Sequence, residues 1–331
     1  MLKVAILDDY ARVALTCADW SALDGIAEIT VFDRHLSEDE AAVLLQPFHV
    51  LCTVRERMAL PRSLFERLPN LRLVTIIGMS LANLDMQAAT DQGVVVVHSD
   101  FSSPAFASAQ NATPELTWGL MIAVVRRIAH EDQRMRAGGW QSTAGIILAG
   151  RTLALLGLGR VGKRMAAYGR AFDMRVIAWS QNMTAEAADD AGAELVSKEE
   201  LFRQADVLSV HVQLSERTRG LVGAADLARM KPEAYLINTS RGPIVDEAAL
   251  IEVLRNRRIA GAGLDVFDQE PPPAEHPLRS LDNVTLTPHL GYVTTETLHA
   301  FYADMPEAIA AFARGAPIRV VNRDVLARTG D

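Results

Sequence analysis

Short apolar runs alternate with longer helical patterns in the first 100 residues. Apolar runs bounded by polar or turn residues predict buried strands at residues 3–7, 50–54, 73–77 and 94–97. Helical spacing between them predicts helices over 38–45 and 64–68. Parallel strands need a crossover, usually a helix, so this alternation predicts an α/β domain with a parallel sheet.

A second series of the same kind begins near residue 152. Six apolar runs predict strands at 153–156, 176–179, 207–212, 234–238, 262–266 and 284–287. Helices are predicted over 160–171, 198–205, 224–230 and 247–254. Six strands with intervening helices are typical of a complete doubly wound unit, and 331 residues suffice for two domains.

Two further segments have helical patterns. The largely apolar segment 114–136 predicts one long helix, which would either bridge the domains or form a subunit interface. Segment 294–313 also predicts a helix, with a kink at Pro306. Because this segment follows the completed second series, we expect it to pack back on the first domain and to make that domain discontinuous.

Composition and charge narrow the classes of partner. The chain is 49% hydrophobic with a formal net charge of -8, whereas a nucleic-acid partner requires a concentrated basic face. No apolar stretch approaches the ~20 residues of a membrane span, and the N-terminal run is too short for a signal peptide. Cys17 and Cys52 have neither CxxC spacing nor a nearby histidine cluster. We therefore expect a cytoplasmic protein without a nucleic-acid, membrane or metal partner.

The strongest local motif is Gly157-x-Gly159-x-x-Gly162, which follows an apolar strand and opens a predicted helix. Gly157 permits a tight turn, Gly159 lets the backbone approach a pyrophosphate, and Gly162 lets the helix pack closely on its strand. Ser180 directly follows the next predicted strand, at a position where an acidic residue would bind the ribose of NAD and repel the phosphate of NADP. No basic residue follows Ser180 immediately, so NAD is favoured and NADP stays open.

Three later loops follow strands of the second series and should meet at the carboxyl edge of its sheet. Arg241 is a candidate to bind a carboxylate through two parallel hydrogen bonds, and His289 is a candidate for proton transfer near neutral pH. Glu270 could fix the tautomer of His289, and Asp265 could accept a hydrogen bond from a nicotinamide carboxamide. Taken singly, Arg241 could equally cap a helix or form a surface ion pair, and His289 and Glu270 could be turn and loop residues. His211 is a competing candidate that we interpret as a structural histidine.

Taken in order, these motifs resemble those of the D-isomer-specific 2-hydroxyacid dehydrogenases, and most densely over residues 153–291. The resemblance implies two Rossmann-like, doubly wound α/β domains, with a nucleotide domain (105–293) inserted into a discontinuous substrate domain (1–104 and 294–331). It implies that Arg241 binds substrate, that His289 donates the proton and that Glu270 is its partner. It further implies a homodimer formed through the long helix near Pro114. The implied cofactor contacts are Arg160, Val161, Ser180, Thr239, Ser240 and Asp265.

The first domain departs from the family pattern. Backbone N–H groups of Gly78, Met79 and Ser80 are expected to bind the substrate carboxylate, and Ser80 stands where a second glycine is usual. Tyr292 likewise stands where a small residue is common. Arg55 and Arg57 would either reach a second anionic group of the substrate or be solvated surface residues.

The function implied is hydride transfer between NAD(P)H and a small 2-oxo acid, giving a D-2-hydroxy acid. Two alternatives stay open on the same fold. One is an NAD(H)-sensing protein similar to a corepressor, because the residues are compatible with both roles. The other is an enzyme of the formate or phosphite dehydrogenase type.

Overall fold

The structure, a computed structural model, describes residues 1–55, 57–77, 83–100 and 104–328. The chain divides into two compact units, one made of Met1–Gln110 and Thr294–Asp331 and the other of Asn111–Val293. The boundaries expected from the sequence lie at 104/105 and 293/294.

The first unit is built on a parallel sheet. Its elements up to residue 109 are β1 (Leu2–Ile6), β2 (Ala27–Val31), α1 (Glu38–Leu44), β3 (Val50–Val54), α2 (Arg62–Phe65), β4 (Leu73–Ile77), α3 (Met86–Asp91), β5 (Val95–His98) and α4 (Pro104–Ala109). The strand order β2-β1-β3-β4-β5 is a doubly wound order, with the reversal between β1 and β3. The sequence predicted every strand except β2, which lies at the sheet edge and is only partly buried.

The second unit also has a parallel sheet. Its elements are α5 (Ala112–Val125), α6 (Ile128–Arg136), β6 (Thr152–Leu156), α7 (Arg160–Ala171), β7 (Arg175–Trp179), α8 (Ala185–Asp190), β8 (Glu194–Leu195), α9 (Lys198–Gln204), β9 (Val207–Val210), α10 (Ala224–Leu227), β10 (Tyr235–Asn238), α11 (Glu247–Arg255), β11 (Gly261–Leu264) and β12 (Val284–Leu286). The strand order is β12-β11-β10-β9-β6-β7-β8. The seven strands exceed the predicted six by β8, a two-residue edge strand paired with β7.

The prediction of one helix over 114–136 was wrong. The backbone at Arg127 is left-handed, with φ 54° and ψ 35°, and it separates α5 from α6. A left-handed residue cannot continue a right-handed helix, and for a side chain other than glycine it costs about 1–2 kcal/mol. The apolar helix α5 packs on β10, β11 and α7, so it belongs to the core of the second unit.

The predicted helix over 294–313 is interrupted next to Pro306, as the sequence indicated. The segment forms α12 (Thr295–Tyr302) and α13 (Asp304–Ala313), which meet at Ala303. Pro306 has no N–H to donate to the carbonyl of Tyr302, four residues earlier, so the helical hydrogen bonding stops there and α13 begins anew.

The C-terminal helices pack in the first unit, which makes that unit discontinuous. A last helix, α14 (Asp324–Arg328), follows α13. The helix α12 packs against α4, and α13 packs against β4. Asn322 ties this segment to β5, because its Oδ1 accepts the Val96 N–H at 2.9 Å and its Nδ2 donates to the Val94 carbonyl at 2.9 Å. No helix of the described residues has both the length and the apolar character needed to cross a membrane.

Candidate active site

Strand register in the second unit places the predicted motifs along one edge of its sheet. Leu156 pairs with Val210, Val210 with Asn238, Asn238 with Leu264, and Leu264 with Leu286. The next residue of each strand therefore stands in one row at the carboxyl edge. That row is Gly157, His211, Thr239, Asp265 and Thr287.

The glycine motif has the geometry of a dinucleotide turn. Gly157 has φ 100°, and a Cβ there would lie 2.9 Å from the His211 carbonyl oxygen. A Cβ on Gly162 would lie 2.3 Å from the carbonyl oxygen of Gly157. Gly159 is exposed and has open space around it, so the backbone at the start of α7 is accessible. The two glycine contacts therefore keep the turn tight, and the helix N-terminus can receive phosphates.

The other predicted cofactor contacts lie near this turn. Ser180 directly follows β7 and is half-buried, whereas Arg160 begins α7 and is exposed. Thr239 shares a 2.7 Å hydrogen bond with the hydroxyl of Thr117. Ser240 donates from its hydroxyl to the Val212 carbonyl at 2.5 Å, which joins the end of β10 to the segment after β9. Val161 is half-buried in the first turn of α7.

His289 and Glu270 form a close pair. His289 Nδ1 donates to Glu270 Oε2 at 2.5 Å, and Glu270 Oε1 accepts the Phe267 N–H at 2.9 Å. Both side chains are partly buried, at 19% and 31% exposure. The carboxylate is held by the backbone on one side and holds the imidazole on the other. With Nδ1 bound, Nε2 is the nitrogen that can face a substrate.

Asp265 holds the turn that carries His289. Its Oδ1 accepts from the Thr287 hydroxyl at 2.6 Å and from the Leu290 N–H at 2.7 Å, and its Oδ2 accepts from the Gly291 N–H at 2.9 Å. Its backbone carbonyl also accepts the His289 N–H at 2.9 Å. His289 has a left-handed backbone, with φ 53°. Burial raises the pKa of Asp265, while the hydrogen bonds from Thr287, Leu290 and Gly291 oppose that rise.

Arg241 lies in the loop after β10. Its Nη1 donates to the Ser240 carbonyl at 2.7 Å, and the Asn238 side-chain amide donates to the Arg241 carbonyl at 3.0 Å. Gly242 packs directly on the backbone of the Glu270 loop, since a Cβ on it would lie 2.0 Å from the carbonyl carbon of Phe267. The loops of Arg241 and Glu270 are therefore in contact, as their positions after neighbouring strands predicted.

His211 has the environment of a structural residue. Burial lowers the pKa of its imidazole from 6.5 to about 3, so the ring is neutral at the pH where an acid catalyst works. Its Nε2 lies 2.8 Å from the Ser209 hydroxyl. Its backbone packs under the Gly157 turn.

The structure describes only some of the residues predicted for the substrate site in the first domain. Gly78, Met79 and Ser80 lie outside the described residues. In the first unit, Arg57 donates to the Asp8 carbonyl at 2.6 Å, and its guanidinium carbon lies 5.0 Å from the centre of the Tyr10 ring. Sequence reasoning did not identify Thr287 as an anchor for His289. Its position in the row of strand ends was the available signal.

Comparisons with known proteins agree with these motifs. Residues 118–291 match the family model described as D-isomer specific 2-hydroxyacid dehydrogenase, NAD binding domain. The chain is 39% identical over 273 residues to a glyoxylate reductase of Aeropyrum pernix, covering 80% of each protein. It is 35% identical over 287 residues to a hydroxypyruvate reductase of Thermotoga maritima, covering 85% of this chain and 90% of the relative.

A solved structure of a phosphoglycerate oxidoreductase from Vibrio cholerae superimposes with a TM-score of 0.87 at 35% identity. That likeness covers 96% of this chain and 100% of the other. The chain therefore belongs to the D-isomer-specific 2-hydroxyacid dehydrogenases, a family of NAD-binding oxidoreductases.

Proposed function

We propose that the protein transfers a hydride between NAD(H) and the carbon next to the carboxylate of a small 2-oxo acid, with the D-2-hydroxy acid as the reduced product. The observation that carries this proposal is the hydrogen-bonded pair of His289 and Glu270. His289 lies in a loop at the same carboxyl edge of the sheet as the dinucleotide turn. This chemistry requires a bound nicotinamide, which the NAD-binding family supplies, and a proton donor near it, which His289 would be.

The residues present fit a dinucleotide. The Gly157 and Gly162 positions are closed to any side chain, which leaves a backbone cradle for the pyrophosphate. Arg160, Val161 and the N–H groups of the first turn of α7 would hold the phosphates, and Ser180 would face the adenosine ribose. Thr239, Ser240 and Asp265 would line the nicotinamide side. When bound, the nicotinamide gives or accepts the hydride.

The protein residues would manage the substrate's charge and its proton. Arg241 would bind the carboxylate and polarise the carbonyl oxygen. During reduction, a hydride adds to the carbonyl carbon while His289 Nε2 gives a proton to the carbonyl oxygen, so that a C–H and an O–H bond form together. Glu270 would stabilise the imidazole in the tautomer with Nδ1–H pointing at its carboxylate, so that Nε2 faces the substrate oxygen. Oxidation would reverse each step.

By resemblance to the family, Gly78, Met79 and Ser80 are further candidates for binding the substrate carboxylate. The relatives named as glyoxylate and hydroxypyruvate reductases favour a small 2-oxo acid. We therefore propose glyoxylate and hydroxypyruvate as the first substrates to examine.

A substrate panel combined with a histidine variant tests the proposal. We expect NADH oxidation with at least one of glyoxylate, hydroxypyruvate, 3-phosphohydroxypyruvate or a branched 2-oxo acid. His289→Gln should lower kcat by about 10²- to 10⁴-fold, the usual contribution of a general acid, with an unchanged Kd for NADH. His276→Gln is the matched control, because His276 also pairs with a glutamate, Glu247, at 3.0 Å.

The outcomes separate the alternatives. Turnover that survives His289→Gln would remove His289 as the proton donor. Tight NADH binding without turnover on any acid of the panel would favour a nucleotide sensor. Turnover on formate or phosphite alone would contradict the choice of substrate class.

We also propose that the protein has no nucleic-acid partner, because its net charge is -8 and nucleic-acid binding requires a concentrated basic face.

We further propose that the protein is a cytoplasmic homodimer. Glu131 accepts hydrogen bonds from Thr143 and Ser142, which lower its pKa to about 2 and fix the segment after α6. Exposed apolar side chains on α6 and this segment support a partner surface: Ile128, Met135, Trp140 and Ile147. Sedimentation should give a dimer that Trp140→Ser with Ile147→Ser weakens, and a monomeric native protein would contradict this proposal.

A further inference from the structure

The ring of Tyr292 contacts the imidazole of His289. The ring centres are 5.7 Å apart and the planes meet at 72°, an edge-to-face arrangement. Tyr292 is buried, with 6% of its surface exposed. The Val293 N–H donates to the Leu290 carbonyl at 2.8 Å, which closes a turn and brings Tyr292 back beside His289.

The Glu270 hydrogen bond by itself does not determine where Nε2 points. It holds one atom of the imidazole, Nδ1, and a hydrogen bond tolerates a range of angles, so the ring can still tilt by a limited rotation about its Cβ–Cγ bond. Such a tilt moves Nε2, the atom that would reach the substrate oxygen. A rigid ring packed against the imidazole limits this tilt, because overlap with it is excluded.

The turn leaves little room for Tyr292 itself to move. Gly291, its neighbour, is buried, and its N–H is held by Asp265 Oδ2 at 2.9 Å. A Cβ on Gly291 would lie 3.2 Å from the same oxygen. The aromatic ring therefore projects from a backbone that is tied down at the preceding residue.

We propose that Tyr292 is a positioning residue for the proton donor: its ring fixes the plane of His289 while Glu270 fixes the tautomer. The inference rests on the proposed function of His289. The ring is the active part of the contact, so phenylalanine should replace it.

Two variants and a matched control test the proposal. Tyr292→Ala should lower kcat about ten- to a hundredfold, the usual cost of a misplaced catalytic group, while the Kd for NADH stays the same. Tyr292→Phe should retain the wild-type kcat. Tyr168→Ala is the control, because Tyr168 makes an edge-to-face contact of the same geometry with Trp118, at 5.8 Å and 72°. Rates are measured on folded enzyme well below each unfolding midpoint.

A spectroscopic readout makes the test independent of turnover. Nitrogen-detected NMR of the histidine rings, with His289 assigned by its loss in His289→Gln, should show one ordered Nδ1–H in the wild type and in Tyr292→Phe. Tyr292→Ala should broaden or average that signal, and Tyr168→Ala should leave it unchanged.

The possible failures are distinguishable. An inactive wild type would refute the proposed function, whereas an active wild type whose kcat survives Tyr292→Ala would refute the role of Tyr292 alone. A loss in Tyr292→Phe as large as in Tyr292→Ala would also overturn it, because the ring contact would then be irrelevant. An unchanged His289 signal in Tyr292→Ala would do the same.

Discussion

Removing the Asp265 carboxylate should release the turn that carries His289. Three hydrogen bonds hold this turn to the side chain, two of them from the backbone N–H groups of Leu290 and Gly291. The Gly291 N–H is buried, and a buried N–H left without a partner costs about 1–3 kcal/mol, whereas the Leu290 N–H is partly exposed and water can replace its partner. For Asp265→Ala we therefore expect the free energy of unfolding to fall by about 1–3 kcal/mol.

The effect on turnover follows from the backbone of His289. Its left-handed conformation is disfavoured by about 1–2 kcal/mol for a residue with a side chain. Without the clamp, this strain is no longer offset, and the competent turn becomes the minor conformer. A preference of that size lowers kcat about five- to thirtyfold, even at saturating substrate and cofactor.

The assay compares kcat with cofactor affinity. We expect Asp265→Ala to lower kcat while the Kd for NADH, measured by fluorescence titration, changes little. The kcat of Asp265→Asn should lie between those of the wild type and Asp265→Ala. Its amide nitrogen would face the Gly291 N–H without accepting a hydrogen bond, while its amide oxygen would keep the other two bonds. Asp246→Ala, which removes the cap at the Ala249 N–H, is the control for lost stability alone.

A different role for Asp265 would give the opposite pattern. If its main contribution is a hydrogen bond to the nicotinamide carboxamide, the Kd for NADH rises and kcat at saturation is nearly unchanged. That result would refute the reasoning from the clamp.

Three further predictions concern the cofactor site and pH. Gly162→Ala should weaken NADH binding about ten- to a hundredfold, because its Cβ would meet the Gly157 carbonyl oxygen at 2.3 Å, whereas Gly119→Ala, with open space around it, should not. Ser180→Asp should lower kcat/KM for NADPH relative to NADH by at least about tenfold, since a carboxylate repels the 2′-phosphate; equal effects on both cofactors would contradict the placement of Ser180. His211 stays neutral when folded but binds a proton when unfolded below pH 6.5, so stability should fall as pH drops from 6.5 toward 3. Chemical denaturation should show that, between pH 6.5 and pH 5, the free energy of unfolding falls by about 2 kcal/mol more in the wild type than in His211→Asn.

Much of the fold could be predicted because burial leaves a simple pattern. Central parallel strands are covered on both faces, so they read as unbroken apolar runs, as in 50–54 and 153–156. The edge strands β2 and β8 lack that signal, because one is partly exposed and the other has two residues. The break at Arg127 left no mark in the pattern either, since arginine is a good helix former.

The sequence by itself determined which residues meet at the sheet edge. Parallel strands all end on the same side, so motifs that follow successive strands converge whatever the details of packing. The spacing of the glycines likewise predicted the dinucleotide turn, because only a residue without a Cβ fits at Gly157 and Gly162.

Only the tertiary structure decided how His289 is held. The contacts of Asp265 with Thr287 and Gly291 span 22 and 26 residues, and the Glu270–His289 pair spans 19. Such bonds depend on the register of β11 against β12 and on the left-handed turn that follows. Hydrophobic periodicity reports which face of a segment is buried, and it carries no information about which polar atoms come within 3 Å across a sheet edge.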